Sequence, residues 1–223
     1  MKIGVLSIQG LPARYGAFEQ TVDQIVLYAE VHRPELHFFV GCNTQSASEA
    51  YEPLNVTRLF IKRTSKIGVI SYGLKSFFFM YIQGVRSFLI MGYGLAPFFW
   101  LFELLGCKLV VNVDGFEWRR AKWGNSARFY FKLCEKLSAK SRAELIYDSI
   151  GVARYYNIVH KRLGHILFYG TEKTESLPLS VVAPDQSGLS YLVVVMRMEP
   201  ENHILEIVKG FLASSTTLRL LLI

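Results

Sequence analysis

Cysteine is scarce: the 223-residue chain has three, Cys42, Cys107 and Cys134. They are odd in number, widely spaced and without a paired zinc spacing. Neither a disulfide framework nor a structural zinc site is expected, and the thiols read as reduced in a cytoplasmic protein. Charge is sparse too, at 19% of residues against 51% hydrophobic and 14% aromatic, which excludes a disordered chain. A chain of this length buries roughly 70% of its unfolded surface, so no cross-link is needed to hold it. No apolar run is long enough for a bilayer. The most membrane-like stretch, Ser87–Phe102, has 16 uncharged residues but contains Gly92, Gly94 and Pro97, and is expected as strand, turn and short helix. At the N-terminus Lys2 precedes a run of small and apolar residues too short for a secretory signal, so a first strand is expected.

The usual enzyme signatures are missing as well. The chain has no GxGxxG, no phosphate loop ending in Gly-Lys-Ser or Gly-Lys-Thr, no HExxH and no G-x-S-x-G elbow. The five histidines, His32, His37, His160, His165 and His203, form no ligand set. His160 and His165 are expected to be structural or superficial, and no metal is expected.

The formal charge is +7, and it is unevenly placed. Residues 119–162 carry eleven basic side chains against three acidic ones. Such a field attracts phosphate, anionic lipid or nucleic acid without choosing among them, and a solvated basic face is the plain alternative. The chain shows no zinc finger, dimerising basic helix or RNA-binding aromatic motif, so nucleic acid is not an expected partner.

Short β-branched runs alternate with helix-period stretches. Strands are expected at residues 3–8, 37–41, 56–61, up to about Met91, 108–113, 144–147 and 164–169. Helices are expected at Phe18–Val31, Tyr72–Val85, after Pro97 to near Gly106, Ser126–Lys140 and Gly151–Tyr156. On the fourth of these the spacing puts Phe129, Leu133 and Leu137 on one side and Lys132, Lys136 and Lys140 on another. Ser149 or Asp148 is the candidate cap of the fifth. Repeated strand–loop–helix units predict a Rossmann-like, doubly wound, mostly parallel α/β sheet. Pro178, Pro184 and Gly188 break the rhythm, which predicts a domain at 1–175, a linker at 176–189, and a further strand and helix at 190–223. In that last helix Ile204, Ile207, Val208 and Phe211 are expected on one buried stripe.

In an open α/β sheet, ligands collect at the carboxyl ends of the strands, where loops diverge and helices begin. The candidate loops there are Gly10–Glu19, Gly92–Pro97, Asp114–Trp118, Tyr169–Gly170 and Arg197–Asn202. Gly16 suits close backbone approach or positive φ, and a tight strand-to-helix turn is its structural alternative.

The blocks GLPARYGAFEQ, GYGLAPFF, VNVDGFEWRRAKW and MRMEPEN, in that order, resemble bacterial rhamnosyltransferases of the retaining GT-B glycosyltransferase superfamily. The resemblance covers nearly the whole chain. It implies two Rossmann-like domains facing a cleft, with this chain holding the N-terminal, acceptor-side half and only the start of the donor side. It implies dTDP-rhamnose as the donor, an undecaprenyl-diphosphate-linked saccharide as the acceptor, and a role in surface polysaccharide synthesis. No cofactor beyond the nucleotide sugar is implied.

Carried over by this resemblance, Gly16, Tyr169, Gly170, Arg197 and Glu201 belong to the donor and its diphosphate. Arg14, Tyr15, Tyr93, Glu117, Trp118, Arg119 and Lys122 belong to the acceptor. Ala17 and Met196 stand where relatives have glycine. Asp114 is the candidate for acceptor orientation or proton handling, with a turn- or helix-capping carboxylate as its alternative. Arg197 would make two charge-assisted contacts to the diphosphate, or is a surface arginine. The later donor-binding motif of relatives has no counterpart before Ile223. Little or no transfer by this chain alone is therefore expected, with a missing C-terminal domain as its complement. An inactive fragment serving as a structural or partner-binding module is the alternative. The basic stretch 119–162 and its aromatic residues are expected to favour a cytoplasmic protein peripheral to an anionic membrane surface.

Overall fold

The computed structural model describes residues 1–14, 16–43, 51, 53–62, 68–170, 190–196, 198–199 and 202–223. The chain divides into two compact units, residues 1–119 with 123–169, and residues 120–122 with 170–223. The expected linker at 176–189 lies outside the described residues.

The first unit runs β1 (Lys2–Leu6), α1 (Ala17–His32), β2 (His37–Asn43), β3 (Val56–Ile61), α2 (Gly68–Ile82), β4 (Ser87–Met91), α3 (Phe99–Leu104), β5 (Lys108–Asn112), α4 (Asn125–Lys140), β6 (Glu144–Tyr147), α5 (Ile150–His160) and β7 (His165–Ile166). Single 3-10 turns at Ala96–Phe98 and Glu117–Arg119 precede α3 and α4. All seven strands are parallel, in the order β3-β2-β1-β4-β5-β6-β7. The direction of the crossovers reverses between β1 and β4. With right-handed connections, α1 therefore covers one face and α2 to α5 cover the other.

The core follows this division. Val5, Val22, Val26, Phe38 and Val40 pack together under α1. Leu6, Phe77, Phe88, Phe102, Leu145 and Tyr156 belong to the larger cluster under α2 to α5. Adjacent residues of β1 feed opposite clusters, as the period-two pleat requires. The three cysteines are free and buried.

Three expectations for this unit are corrected. Helix α2 begins at Gly68 rather than Tyr72 and stops at Ile82, because Ile70 joins the packed face and Gly84, at φ 82°, turns the chain toward β4. Helix α5 starts one residue earlier and continues to His160, where Lys161 closes it in the left-handed conformation at φ 53°. In α4 the buried stripe is Cys134, Glu135, Ser138 and Ala139, while Phe129 and Leu133 face water. A buried carboxylate with three hydrogen-bond donors turns that stripe inward. Of the two candidate caps, Ser149 performs the role for α5: its hydroxyl accepts the Val152 N–H at 3.2 Å.

The second unit holds β8 (Tyr191–Val194), α6 (Ile204–Ala213) and β9 (Arg219–Leu222). β8 and β9 pair in parallel, from Tyr191 beside Arg219 to Val194 beside Leu222. Ile204, Ile207, Val208 and Phe211 are half-buried rather than buried. One helix and two strands shelter that stripe without enclosing it. Among the described residues, no helix is long and apolar enough to cross a membrane.

Candidate functional site

The carboxyl ends of β1, β4, β5, β6 and β7 form one edge of the first unit, and the crevice of a doubly wound sheet opens where the crossover direction reverses. Here that point lies between β1 and β4, below the loops 7–16 and 92–95.

The β1–α1 loop is held from beneath by two carboxylates of α1. Buried Glu19 accepts the Gln9 N–H at 2.8 Å, and Asp23 accepts the Ala13 N–H at 3.3 Å. The Cys42 thiol accepts the Leu11 N–H at 3.4 Å. The loop thus presents Arg14, Gly16 and Ala17 to solvent at the start of α1. Gly16 has φ 106°, and a Cβ there would meet Glu19 Oε2 at 2.5 Å, so conformation and space both select glycine. Ala17 is the first residue of the helix and its side chain is exposed. Across the crevice, a Cβ on Gly92 would lie 3.6 Å from the Phe18 ring. The first turn of α1 and the loop after β4 therefore meet.

Beyond β5 the chain turns sharply at Asp114, a non-glycine residue at φ 56°. Asn112 makes this turn possible. Its Oδ1 accepts the Asp114 N–H at 3.0 Å, and its Nδ2 donates to Tyr169 Oη at 3.1 Å. Burial pushes the Tyr169 phenol up to about 12, the Asn112 hydrogen bond opposes this, and the Asp114 and Asp148 carboxylates add to it. The ends of β5, β6 and β7 thereby bring two carboxylates, an amide and a phenol together, the groups that hydrogen-bond sugar hydroxyls.

Tyr93 serves the same loop from below. It is 2% exposed, its hydroxyl accepts the Glu117 N–H at 3.0 Å and donates to the Gly115 carbonyl at 3.4 Å, and burial raises its pKa. Expected to contact an acceptor, it is instead a support for residues 115–117. Glu117 accepts the Trp123 indole N–H at 2.9 Å. Trp118 gives its own indole N–H to Glu135 at 2.7 Å. Its ring lies 4.9 Å from the Arg119 guanidinium and 4.7 Å from the Lys132 ammonium. Glu135 is 4% exposed and also binds the Tyr155 hydroxyl at 2.9 Å and His160 Nε2 at 2.8 Å. His160 is structural, as expected.

The first unit therefore unites Arg14, Gly16, Tyr93, Asp114, Glu117, Trp118, Arg119 and Tyr169 at one edge. Lys122 and Gly170 belong to the second unit. Tyr15, Arg197 and Glu201 lie outside the described residues. Sequence reasoning missed Asn112 and Ser7, the latter at φ 68° just beyond β1, and named Asp148 only as a possible cap and Glu19 only as the end of a loop. A polar residue inside the apolar run KLVVNV was a readable signal for Asn112, and an acidic residue in a first helical turn was one for Glu19. Nothing in the sequence marked Ser7. Among the described residues, no group of three or more His, Cys, Asp or Glu side chains could hold a metal ion.

Residues 2–172 match the family described as Domain of unknown function (DUF1972). The chain belongs to this family. No curated protein matches this DUF1972 member in sequence. Among solved structures it is similar to the sucrose-phosphate synthase of Thermosynechococcus elongatus, with a TM-score of 0.74 and 13% identity. The match covers 99% of the DUF1972 chain and 61% of the synthase chain. At this identity the likeness is one of fold. The DUF1972 chain has the α/β, Rossmann-like, mostly parallel architecture of the N-terminal half of a GT-B fold.

Proposed function

We propose that this protein is the acceptor-side part of a glycosyltransferase that moves rhamnose from dTDP-rhamnose to an undecaprenyl-diphosphate-linked saccharide. The observation that carries the reading is the edge at β5 to β7, where Asn112 holds Asp114 and Tyr169 among groups suited to sugar hydroxyls. The GT-B architecture and the rhamnosyltransferase-like blocks support it. The specific donor and acceptor rest on those blocks.

In this reading the bond between the anomeric carbon and the diphosphate oxygen breaks, and a new bond forms to an acceptor hydroxyl oxygen, which gives up its proton to the departing diphosphate. Asp114 orients that hydroxyl. Orientation of the two reactants supplies much of the rate. Negative charge develops on the departing diphosphate, where amide N–H groups at the start of α1, beside Gly16, and Arg14 would stabilise it; the resemblance assigns Arg197 to the same diphosphate. Glu117 and Arg119 flank the acceptor, with Trp118 as a hydrophobic wall. Lys122, Tyr15, Tyr169, Gly170 and Glu201 complete the assignment. The protein would work in the cytoplasm, at the inner face of the membrane that carries the acceptor lipid.

A titration of the folded chain with a soluble diphospho-saccharide acceptor analogue, followed by backbone NMR, tests this. Shifts centred on Gly16, Asn112 and Asp114, with affinity lost in Asp114→Ala, are expected. Perturbations confined to other surfaces would overturn the assignment.

A further inference from the structure

Helices α2, α3 and α4 stand side by side over one face of the sheet. The Phe77 and Phe102 rings stack at 3.6 Å between α2 and α3. Glu103 of α3 accepts the Arg142 N–H, just past the end of α4, at 2.7 Å. With Phe77 and Phe102 turned inward, helical spacing turns their neighbours outward. Phe78, Phe79 and Ile82 of α2, Trp100 and Leu104 of α3, and Phe129 of α4 are all exposed, Trp100 by 64%, Leu104 by 75% and Ile82 by 80%. Large side chains grouped on neighbouring helices mark a surface that something covers.

Charge identifies the partner. The exposed ionic groups of these helices are Lys75, Lys132, Lys136 and Lys140. Of their two carboxylates, Glu103 is half-buried and accepts the Arg142 N–H, and Glu135 is buried among Trp118, Tyr155 and His160, so lysine dominates the exposed charge. A partner must therefore offer apolar depth and negative charge together. A second copy of this chain, docked symmetrically, would set lysines against lysines. A nucleic acid would satisfy the lysines and leave the Phe, Ile and Leu side chains in water.

We propose that the outer face of α2, α3 and α4 docks on an anionic bilayer. The aromatic and aliphatic side chains enter the headgroup–acyl boundary, and the lysines pair with acidic headgroups. This deepens the reading of a lipid-borne acceptor by assigning the face that meets the membrane. It needs no donor chemistry of its own.

The test is vesicle flotation of the full chain with phosphatidylcholine alone and with added phosphatidylglycerol, in the absence of any sugar nucleotide or acceptor. Binding is expected with phosphatidylglycerol only, weakening as salt rises. The Lys132→Glu, Lys136→Glu, Lys140→Glu variant should bind at least ~10-fold more weakly, given about 1 kcal/mol per basic residue near such a surface. The Trp100→Ser, Leu104→Ser variant should lose the binding that survives high salt. Both variants change exposed positions, and circular dichroism confirms their folding. Equal partition onto neutral and anionic vesicles would overturn the proposal. So would a dimer in sedimentation that dissociates in Trp100→Ser, Leu104→Ser while vesicles bind nothing. Because no sugar is present, failure here is distinct from failure of the transferase reading.

Discussion

The Asn112 side chain donates to Tyr169 Oη at 3.1 Å while its carbonyl oxygen accepts the Asp114 N–H at 3.0 Å. A single buried amide thus ties the turn after β5 to the chain beyond β7 and holds Asp114 in a left-handed conformation that few aspartates adopt.

Asn112→Leu should destabilise the fold by about 1–3 kcal/mol, because the Asp114 N–H and the Tyr169 hydroxyl lose a buried partner. Urea unfolding measures this. Asn112→Asp keeps the acceptor for Asp114 but places a third carboxylate beside Asp114 and Asp148, and should also destabilise at neutral pH. If Asn112→Leu unfolds at the wild-type midpoint, the amide does not organise the turn.

Gly16→Ala should cost about 1–3 kcal/mol, since alanine is strained at φ 106° and its methyl group would meet Glu19 Oε2. Adding Glu19→Ala removes the collision but leaves the backbone strain, so any recovery is partial once the lost Gln9 hydrogen bond is counted. Equilibrium unfolding of the two variants separates the terms.

Glu135→Ala should be among the most damaging single changes, by about 3–5 kcal/mol, because it strands the Trp118 indole, the Tyr155 hydroxyl and His160 together. Trp118 anchors the 3-10 turn before α4, so its fluorescence should shift red in Glu135→Gln, which keeps one acceptor. Unchanged emission would separate the network from the turn.

Alkaline pH should weaken the fold. Burial pushes the Tyr147 and Tyr169 phenols each up to about 12 from the ordinary 10.0. Below 10 both states hold these protons, and the stabilisation is fully present. Between 10 and 12 the unfolded chain has released protons that the folded chain retains, so stability falls as pH rises. Urea midpoints at about pH 9 and about pH 11 should differ in that direction, and Tyr169→Phe should reduce the difference. A midpoint that rises would contradict the burial of these phenols.

Local pattern determined much of this protein. The period-two and helical runs located every strand of the sheet before β8, and parallel connections followed from the alternation of strand and helix. Loops at the strand ends were readable for the same reason, since Gly10, Gly92 and Asp114 interrupt apolar runs. Helix bounds were less legible: the start of α2 and the end of α5 depend on Ile70 meeting the core and on His160 meeting Glu135. Spacing on α4 could not tell which side faces inward, because Phe129 and Leu133 are apolar and still turn to water. Glu135 decides that orientation through partners 17, 20 and 25 residues away in sequence. The roles of Asn112 and Tyr93 were hidden for the same reason. A residue's type advertises which hydrogen bonds it can make, and only packing brings those partners within reach.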